Sequence, residues 1–179
     1  MNPKDIINNY HYEKLSPKHD LSEFSCGVKD LDDFLKDDAL TQQAKNLSVT
    51  YLAIYKNKIL GYVSILADKV DCKKINKKLA IYSQYPAVKI GRLAVDKKYQ
   101  KYGIGSAILT STSLLIKEMS KDLGIAFITI DAYYIAKTFY LKNSFKLMKV
   151  HNIAKLKRAS EHDNTISIPM YKNIKKIRI

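Results

Sequence analysis

Hydrophobic and polar positions repeat along this chain with two different periods. Apolar runs and two-residue alternation, each bounded by polar turns, predict strands over residues 10–15, 49–55, 59–66, 87–95, 125–131, 145–150 and 165–171. Apolar residues spaced three and four apart predict long helices over residues 30–45 and 103–123, and shorter ones over 73–79 and around Tyr140. This order of elements predicts an α/β domain in which helices cover a mixed sheet.

The remaining composition predicts a single domain without a membrane anchor or a metal. No internal repeat and no linker rich in glycine, proline or serine divides residues 1–179. No apolar run approaches membrane-spanning length, and the polar N-terminus lacks a signal-peptide core, so we expect a cytoplasmic protein. Cys26 and Cys72 are too few for a disulfide framework, and the histidines lack the spacing of metal ligands.

The charge of the chain favours polyanionic ligands. Lysine and arginine outnumber aspartate and glutamate by 31 to 17, which gives a formal net charge of +14. Coenzyme A is a small polyanion and RNA is a large one. Lysines concentrate in residues 73–78 and 142–158. These two stretches are either solvated faces or RNA contacts, and the charge pattern alone leaves both interpretations open.

A glycine pair follows the apolar strand that ends near Val95. Residues 88–106 read Val-Lys-Ile-Gly-Arg-Leu-Ala-Val-Asp-Lys-Lys-Tyr-Gln-Lys-Tyr-Gly-Ile-Gly-Ser, with Gly103 and Gly105 where the longest predicted helix begins. Glycine adopts positive φ without a steric cost, and the first amides of a helix are available to phosphate oxygens. The pattern predicts a phosphate-binding loop, and an ordinary strand–helix turn is the alternative.

This segment resembles the Gln/Arg-x-x-Gly-x-Gly/Ala loop of the GCN5-related N-acetyltransferase (GNAT) family. The resemblance implies the GNAT fold, a mixed and mostly antiparallel sheet flanked by helices, with acetyl-coenzyme A as co-substrate. It also implies that the coenzyme enters where the central strand and its neighbour diverge. The residues that would bind the coenzyme are Leu93, Ala94, Val95, Gln100, Lys101, Tyr102, Gly103, Ile104, Gly105 and Ser106.

A second segment, residues 138–145, reads Thr-Phe-Tyr-Leu-Lys-Asn-Ser-Phe and resembles the family's Phe-Tyr-x-x-x-Gly-Phe. The resemblance implies that Tyr140 is catalytic and protonates the leaving thiolate; a core residue is the alternative. A tyrosine pKa of about 10 exceeds a thiol pKa of about 8.5, so full proton transfer is uphill by about 2 kcal/mol. Hydrogen-bond stabilisation of the sulfur charge is therefore equally open. Ser144 replaces the family's glycine, which predicts local strain at the helix end.

Three shorter segments of the sequence resemble one subgroup of the GNAT family. Residues 23–27 read Glu-Phe-Ser-Cys-Gly, residues 31–35 read Leu-Asp-Asp-Phe-Leu, and residues 90–96 read Ile-Gly-Arg-Leu-Ala-Val-Asp. They resemble segments of the acetyltransferase toxins of toxin–antitoxin modules, and the likeness extends over about residues 10–150. It implies an enzyme that acetylates the α-amino group of aminoacyl-tRNA and blocks translation, forms a homodimer and is neutralised by a ribbon-helix-helix antitoxin.

The carboxylates of the chain agree with an α-amino acceptor. An α-amino group, with a pKa of about 7.7–8.0, is largely neutral near pH 8, whereas a lysine side chain at about 10.4 needs a base. The central strand holds no glutamate that could act as that base. We expect Glu118 on the surface. We expect Asp131 to cap the helix that follows it, and orienting the substrate is the alternative role.

Four basic residues are candidate substrate contacts. Strand alternation puts Arg92 on the face of Ile90 and Ala94, where it contacts substrate phosphate or forms an ion pair within the fold. The candidate tRNA contacts are Lys149, Lys155 and Lys157. The sequence thus predicts an acetyltransferase toxin. The alternatives are a GNAT enzyme acting on a small amine or a protein N-terminus, and a non-catalytic RNA-binding protein with this fold.

Overall fold

The computed structural model describes residues 2–75 and 81–177. The strands are β1 (His11–Lys14), β2 (Val49–Tyr55), β3 (Lys58–Asp71), β4 (Gln84–Val95), β5 (Phe127–Tyr133), β6 (Lys146–Leu147) and β7 (Ser167–Asn173). The α-helices are α1 (Pro3–Asn9), α2 (Lys29–Asp33), α3 (Ala39–Ala44), α4 (Cys72–Ile75), α5 (Ile104–Met119), α6 (Lys137–Lys142) and α7 (Ile153–Ser160). A π-helical turn, Phe34–Asp38, joins α2 to α3.

The strands form a seven-stranded sheet in the order β1-β2-β3-β4-β5-β7-β6. Antiparallel pairing joins β1 to β2, β2 to β3, and both β5 and β6 to β7. β4 and β5 pair in parallel, with Ala87 opposite Phe127 and Lys89 opposite Thr129. The predicted α/β class, with a mixed and mostly antiparallel sheet flanked by helices, is confirmed.

The chain divides into two compact units, of which the first contains the residues up to Leu66 and Ile90–Thr112. Its core surrounds Tyr62, whose ring contacts those of Phe24 and Phe34 and whose hydroxyl donates a hydrogen bond to the Leu31 carbonyl at 2.7 Å. A buried phenol with a satisfied hydroxyl combines a large apolar area with a fixed orientation.

The second unit contains Ala67–Lys89 and the residues from Ser113 onward. Its core includes Phe127, whose ring contacts those of Tyr85 and Tyr171 edge to face. β3, β4 and α5 contribute residues to both units. Within residues 2–75 and 81–177, no helix is long and apolar enough to cross a membrane.

Several element boundaries differ from the predicted ones. Two helices, α1 and α7, were not predicted, and both follow an asparagine, Asn2 or Asn152, whose side chain accepts a backbone N–H of the first turn. The strand predicted at 145–150 contracts to β6, and α5 ends at Met119 rather than Leu123. The basic segment 73–79 contains the end of α4, and residues 76–79 lie outside the described residues.

Candidate active site

The glycine-containing turn in the first unit has the backbone that a phosphate loop requires. Lys101 and Gly103 both adopt left-handed conformations, with φ of 69° and 82°. A Cβ at Gly103 would lie 3.6 Å from the Ile7 side chain, an ordinary contact, so φ rather than space favours glycine there. The first backbone hydrogen bond of α5 runs from Ala107 N to Gly103 O, and Ile104 anchors the helix start in the core. The amides that precede the Ala107 amide point out of the helix N-terminus, as the first amides of a helix do.

Gln100 holds this loop through its side chain. Its Nε2 donates to the carbonyl oxygens of Cys26 at 2.8 Å and Val95 at 2.9 Å. The structure thus gives Gln100 a positioning contact, while coenzyme binding by Gln100 stays a prediction. Lys101 and Tyr102 are exposed, and Ala94 and Ile104 are buried.

The segment around Cys26 is tied to the end of β4. The amide of Ser25 donates to the carboxylate of Asp96 at 3.2 Å, and the amide of Lys97 donates to the Ser25 carbonyl at 2.9 Å. Asp96 is buried and also accepts the Lys98 amide at 2.8 Å. Two of the toxin-like pieces, residues 23–27 and 90–96, therefore meet beside the loop.

Asp32, in the third toxin-like piece, completes this cluster. It accepts the Cys26 amide at 2.7 Å and the Ser25 hydroxyl at 2.9 Å. Partial burial raises the pKa of Asp32, but these hydrogen bonds outweigh it and hold the pKa below its usual value. Burial, with Asp32 nearby, raises the pKa of Cys26 to about 11, so this thiol is protonated and a poor nucleophile. Gly27 adopts a φ of 90°, and a Cβ there would lie 2.4 Å from Lys97 Cε.

The β4 residues before the loop are placed by close packing. A Cβ at Gly61 would lie 2.5 Å from the Ala94 carbonyl oxygen, so β3 and β4 approach too closely for a side chain.

Arg92 is exposed, with its guanidinium 5.2 Å from the centre of the Phe34 ring, and Nη1 donates to the Gly91 carbonyl at 2.9 Å. No described carboxylate pairs with Arg92, so the ion-pair interpretation finds no support.

Tyr140 lies on α6 in the second unit and is buried. Its ring contacts Phe139 and Phe145 edge to face, with centroids 4.9 and 5.7 Å away. Burial raises the pKa of Tyr140, and no described group donates to or accepts from its hydroxyl. Ser144, which follows α6, has a φ of 68°, and the predicted strain at this helix end is confirmed.

The predicted tRNA contacts are exposed on the second unit. Lys155 and Lys157 lie on α7, and Lys149 precedes it, with its amide donating to the Lys74 carbonyl at 2.8 Å. None of the three forms an ion pair with a carboxylate in the described part of the chain. Glu118 is exposed and pairs with Lys121, as expected of a surface residue.

A polar cavity of about 140 Å³ in the second unit was missed by sequence reasoning. Asp68 accepts a hydrogen bond from the Thr129 hydroxyl, and Asp131 pairs with Lys89. Asp131 lies within β5, so the prediction that it caps the next helix is wrong. Alternation along β3 puts Asp68 on the face of buried Val70, and extending the predicted strand past residue 66 would have found it.

Within residues 2–75 and 81–177, no group of three His, Cys, Asp or Glu side chains is placed to hold a metal ion. The binding roles predicted for Leu93, Val95, Gly105 and Ser106 rest on their positions at the end of β4 and the start of α5.

Known proteins resemble this chain over most of its length. The model of the family described as "Acetyltransferase (GNAT) domain" matches residues 46–147. The tRNA-acetylating toxin of Mycobacterium tuberculosis is 24% identical over 137 residues, which cover 75% of this chain and 82% of that protein. The probable toxin TacT of Sinorhizobium fredii is 25% identical over 126 residues, 66% of this chain and 70% of that protein.

Solved structures share the fold. AtaT complexed with acetyl-methionyl-tRNAfMet superposes with a TM-score of 0.79 at 22% identity, covering 94% of this chain and 97% of that one. A tyrosine-to-phenylalanine mutant of KacT also gives 0.79, at 23% identity over 94% of this chain and 96% of that one. AtaTR bound with AcCoA gives 0.75 at 22% identity, covering 95% and 96%.

Proposed function

The chain belongs to the GNAT acetyltransferase family, as its motifs predict, and we propose that it acetylates the α-amino group of aminoacyl-tRNA, with acetyl-coenzyme A as donor. The observation that carries the proposal is the cluster around Cys26, Asp32 and Asp96, because it joins all three toxin-like pieces beside the glycine loop. The M. tuberculosis relative, named a tRNA-acetylating toxin, supports the same acceptor.

The loop binds the coenzyme pyrophosphate in this proposal. Backbone amides from Lys101 to Ser106 donate to the phosphate oxygens, and the partial positive charge at the start of α5 adds to the attraction. Gln100 keeps the loop in place through its bonds to Cys26 and Val95. The backbone groups of Leu93 and Val95 align the rest of the coenzyme.

Tyr140 stabilises the sulfur that leaves. The acceptor nitrogen attacks the thioester carbonyl, the carbon–sulfur bond breaks, and the amine proton passes to solvent. The Tyr140 hydroxyl has no described partner of its own, so it is available to donate to the thiolate. Because burial raises the pKa of Tyr140, complete proton transfer is more uphill than for an ordinary tyrosine. The structure therefore favours hydrogen-bond stabilisation over full protonation.

Exposed cations would bind the tRNA. Lys149, Lys155 and Lys157 contact backbone phosphates, as does Arg92, and the net charge of +14 supports fast association with a polyanion. Such a substrate also places the protein in the cytoplasm. We further propose that residues 1–179 work as one domain, as a homodimer, and under the control of a ribbon-helix-helix antitoxin.

One observation favours the second candidate, an acetyltransferase of small amines. The cavity lined by Asp68, Asp71 and Asp131 offers carboxylates to an ammonium group. Thr129 and Lys89 already engage two of these carboxylates, which weakens their attraction for an additional cation.

The test incubates the protein with radiolabelled acetyl-coenzyme A and with charged tRNA, uncharged tRNA, polyamines or peptides. We expect label only in the charged tRNA, and a steep fall in rate with salt. Replacing Lys149, Lys155 and Lys157 by glutamine should raise KM for tRNA and leave coenzyme affinity unchanged.

The matched control replaces the exposed Lys4, Lys14 and Lys45, which removes the same charge from the first unit. If the two triple variants raise KM for tRNA equally, the effect comes from the net charge of the protein and not from contacts of Lys149, Lys155 and Lys157 with tRNA. Label in polyamines or peptides, with none in charged tRNA, would establish the alternative acceptor instead.

A further inference from the structure

An exposed aromatic side chain stands at the turn before β4 in the second unit. Tyr82 is 66% exposed and its neighbour Ile81 is 83% exposed. The Tyr82 ring contacts the Tyr85 ring edge to face at 6.0 Å, and Tyr85 in turn contacts Phe127 in the core at 5.9 Å. Tyr82 is therefore supported from one side and leaves much of its ring to solvent.

Backbone hydrogen bonds connect this turn to segments that carry lysines. The Cys72 amide donates to the Ser83 carbonyl at 3.1 Å, so the chain neighbours of Cys72, exposed Lys73 and Lys74, follow a residue that is bonded to the chain neighbour of Tyr82. The amide of Lys149 donates to the Lys74 carbonyl at 2.8 Å, so Lys149 belongs to the same neighbourhood. Asp71 accepts the Lys73 amide, and Asp68 and Asp131 line the same cavity as Asp71 and Lys74. Lys69 and Lys89 line that cavity as well, so with Lys73, Lys74 and Lys149 there are five lysines for three carboxylates.

We propose that Tyr82, with Lys73, Lys74 and Lys149, stacks on an unpaired base of an RNA. An aromatic face beside several lysines fits single-stranded nucleic acid, because every base has a face to stack and every nucleotide has a phosphate. The inference rests on the proposed tRNA substrate and assigns a stacking contact to it.

Binding of tRNA to variants tests the inference. Tyr82→Ala should raise Kd about 5- to 150-fold, the loss expected for one stacked base, and Tyr82→Trp should restore binding. The slope of log Kd against log salt should stay unchanged in Tyr82→Ala, whereas Lys73→Gln should lower it by about 0.7–0.9, the effect of one phosphate contact. Coenzyme affinity should be unaffected by any of these variants.

Ile81→Ala is the matched control, since it removes a neighbouring exposed apolar side chain that has no aromatic face. Equal losses in Ile81→Ala and Tyr82→Ala would overturn stacking, as would an unchanged Kd in Tyr82→Ala. A change in oligomeric mass of Tyr82→Ala, measured by light scattering, would assign the turn to a contact between copies and also overturn it.

The same binding data separate this inference from the proposed function. A protein that acetylates charged tRNA while Tyr82→Ala binds normally keeps the function and loses the stacking contact. A protein that does not acetylate charged tRNA, yet loses RNA binding in Tyr82→Ala, keeps the contact and loses the proposed acceptor.

Discussion

Replacing Tyr140 by phenylalanine removes one oxygen from a buried ring that keeps its packing against Phe139 and Phe145. If that hydroxyl stabilises the leaving thiolate, acetyl transfer should slow by about 10²- to 10⁴-fold, which corresponds to about 2.7–5.4 kcal/mol in the barrier. Because no described group bonds to the hydroxyl, the free energy of unfolding should change by less than about 1 kcal/mol.

Tyr12→Phe provides the matched control. The Tyr12 hydroxyl donates to the Ile108 carbonyl at 2.7 Å and lies 3.0 Å from the Thr112 hydroxyl, so its removal breaks real hydrogen bonds. We expect this variant to lose about 1–3 kcal/mol of stability. Its acetyl-transfer rate, measured where the protein is folded, should remain that of the wild type.

Two measurements decide the matter: single-turnover acetyl transfer at saturating coenzyme, and urea unfolding. The two variants should separate, with Tyr140→Phe slow but stable and Tyr12→Phe fast but less stable. A Tyr140→Phe rate within twofold of the wild type would refute the catalytic role and leave Tyr140 as a residue that only packs in the core. A large loss of stability in Tyr140→Phe would show that its hydroxyl has a structural partner.

Three further outcomes follow from the structure. Gly103→Asp should abolish measurable coenzyme binding in calorimetry, because it strains a left-handed residue and places a negative charge at the phosphate site; unchanged affinity in a folded variant would move the site. Gly27→Ala should weaken coenzyme binding several-fold and lower stability by about 1–3 kcal/mol in urea, since alanine would have to adopt the left-handed φ of 90°. Burial raises the pKa of Tyr10 and Tyr12, so the folded state retains protons that the unfolded state loses above about pH 10. The contribution of these two phenols to stability should therefore be constant below that pH and fall above it. The fall should be less steep in Tyr12→Phe, and parallel curves would contradict this origin.

Local patterns predicted the elements because hydrophobic periodicity is a property of neighbouring residues. Strand β2 was predicted with its observed bounds, and the left-handed Gly103 was anticipated from its position before a helix. Glu118 was correctly placed on the surface by the same reasoning. Asp131 was misplaced because the end of β5 depends on its pairing with β7, where Tyr133 still lies opposite Ser167.

Interactions between distant residues appeared only in the tertiary structure. Gln100 reads as a phosphate ligand in its motif, but its amide bonds to a carbonyl at Cys26, 74 residues away. The hydrogen bond between Thr129 and Asp68 spans 61 residues, and both line a cavity that no local pattern shows. The amino-acid sequence by itself determined the family, the order of the strands and the glycine loop, because each depends on adjacent residues. The tertiary structure decided which toxin-like pieces touch and which carboxylates are already engaged, because hydrogen bonds and burial depend on distance in space.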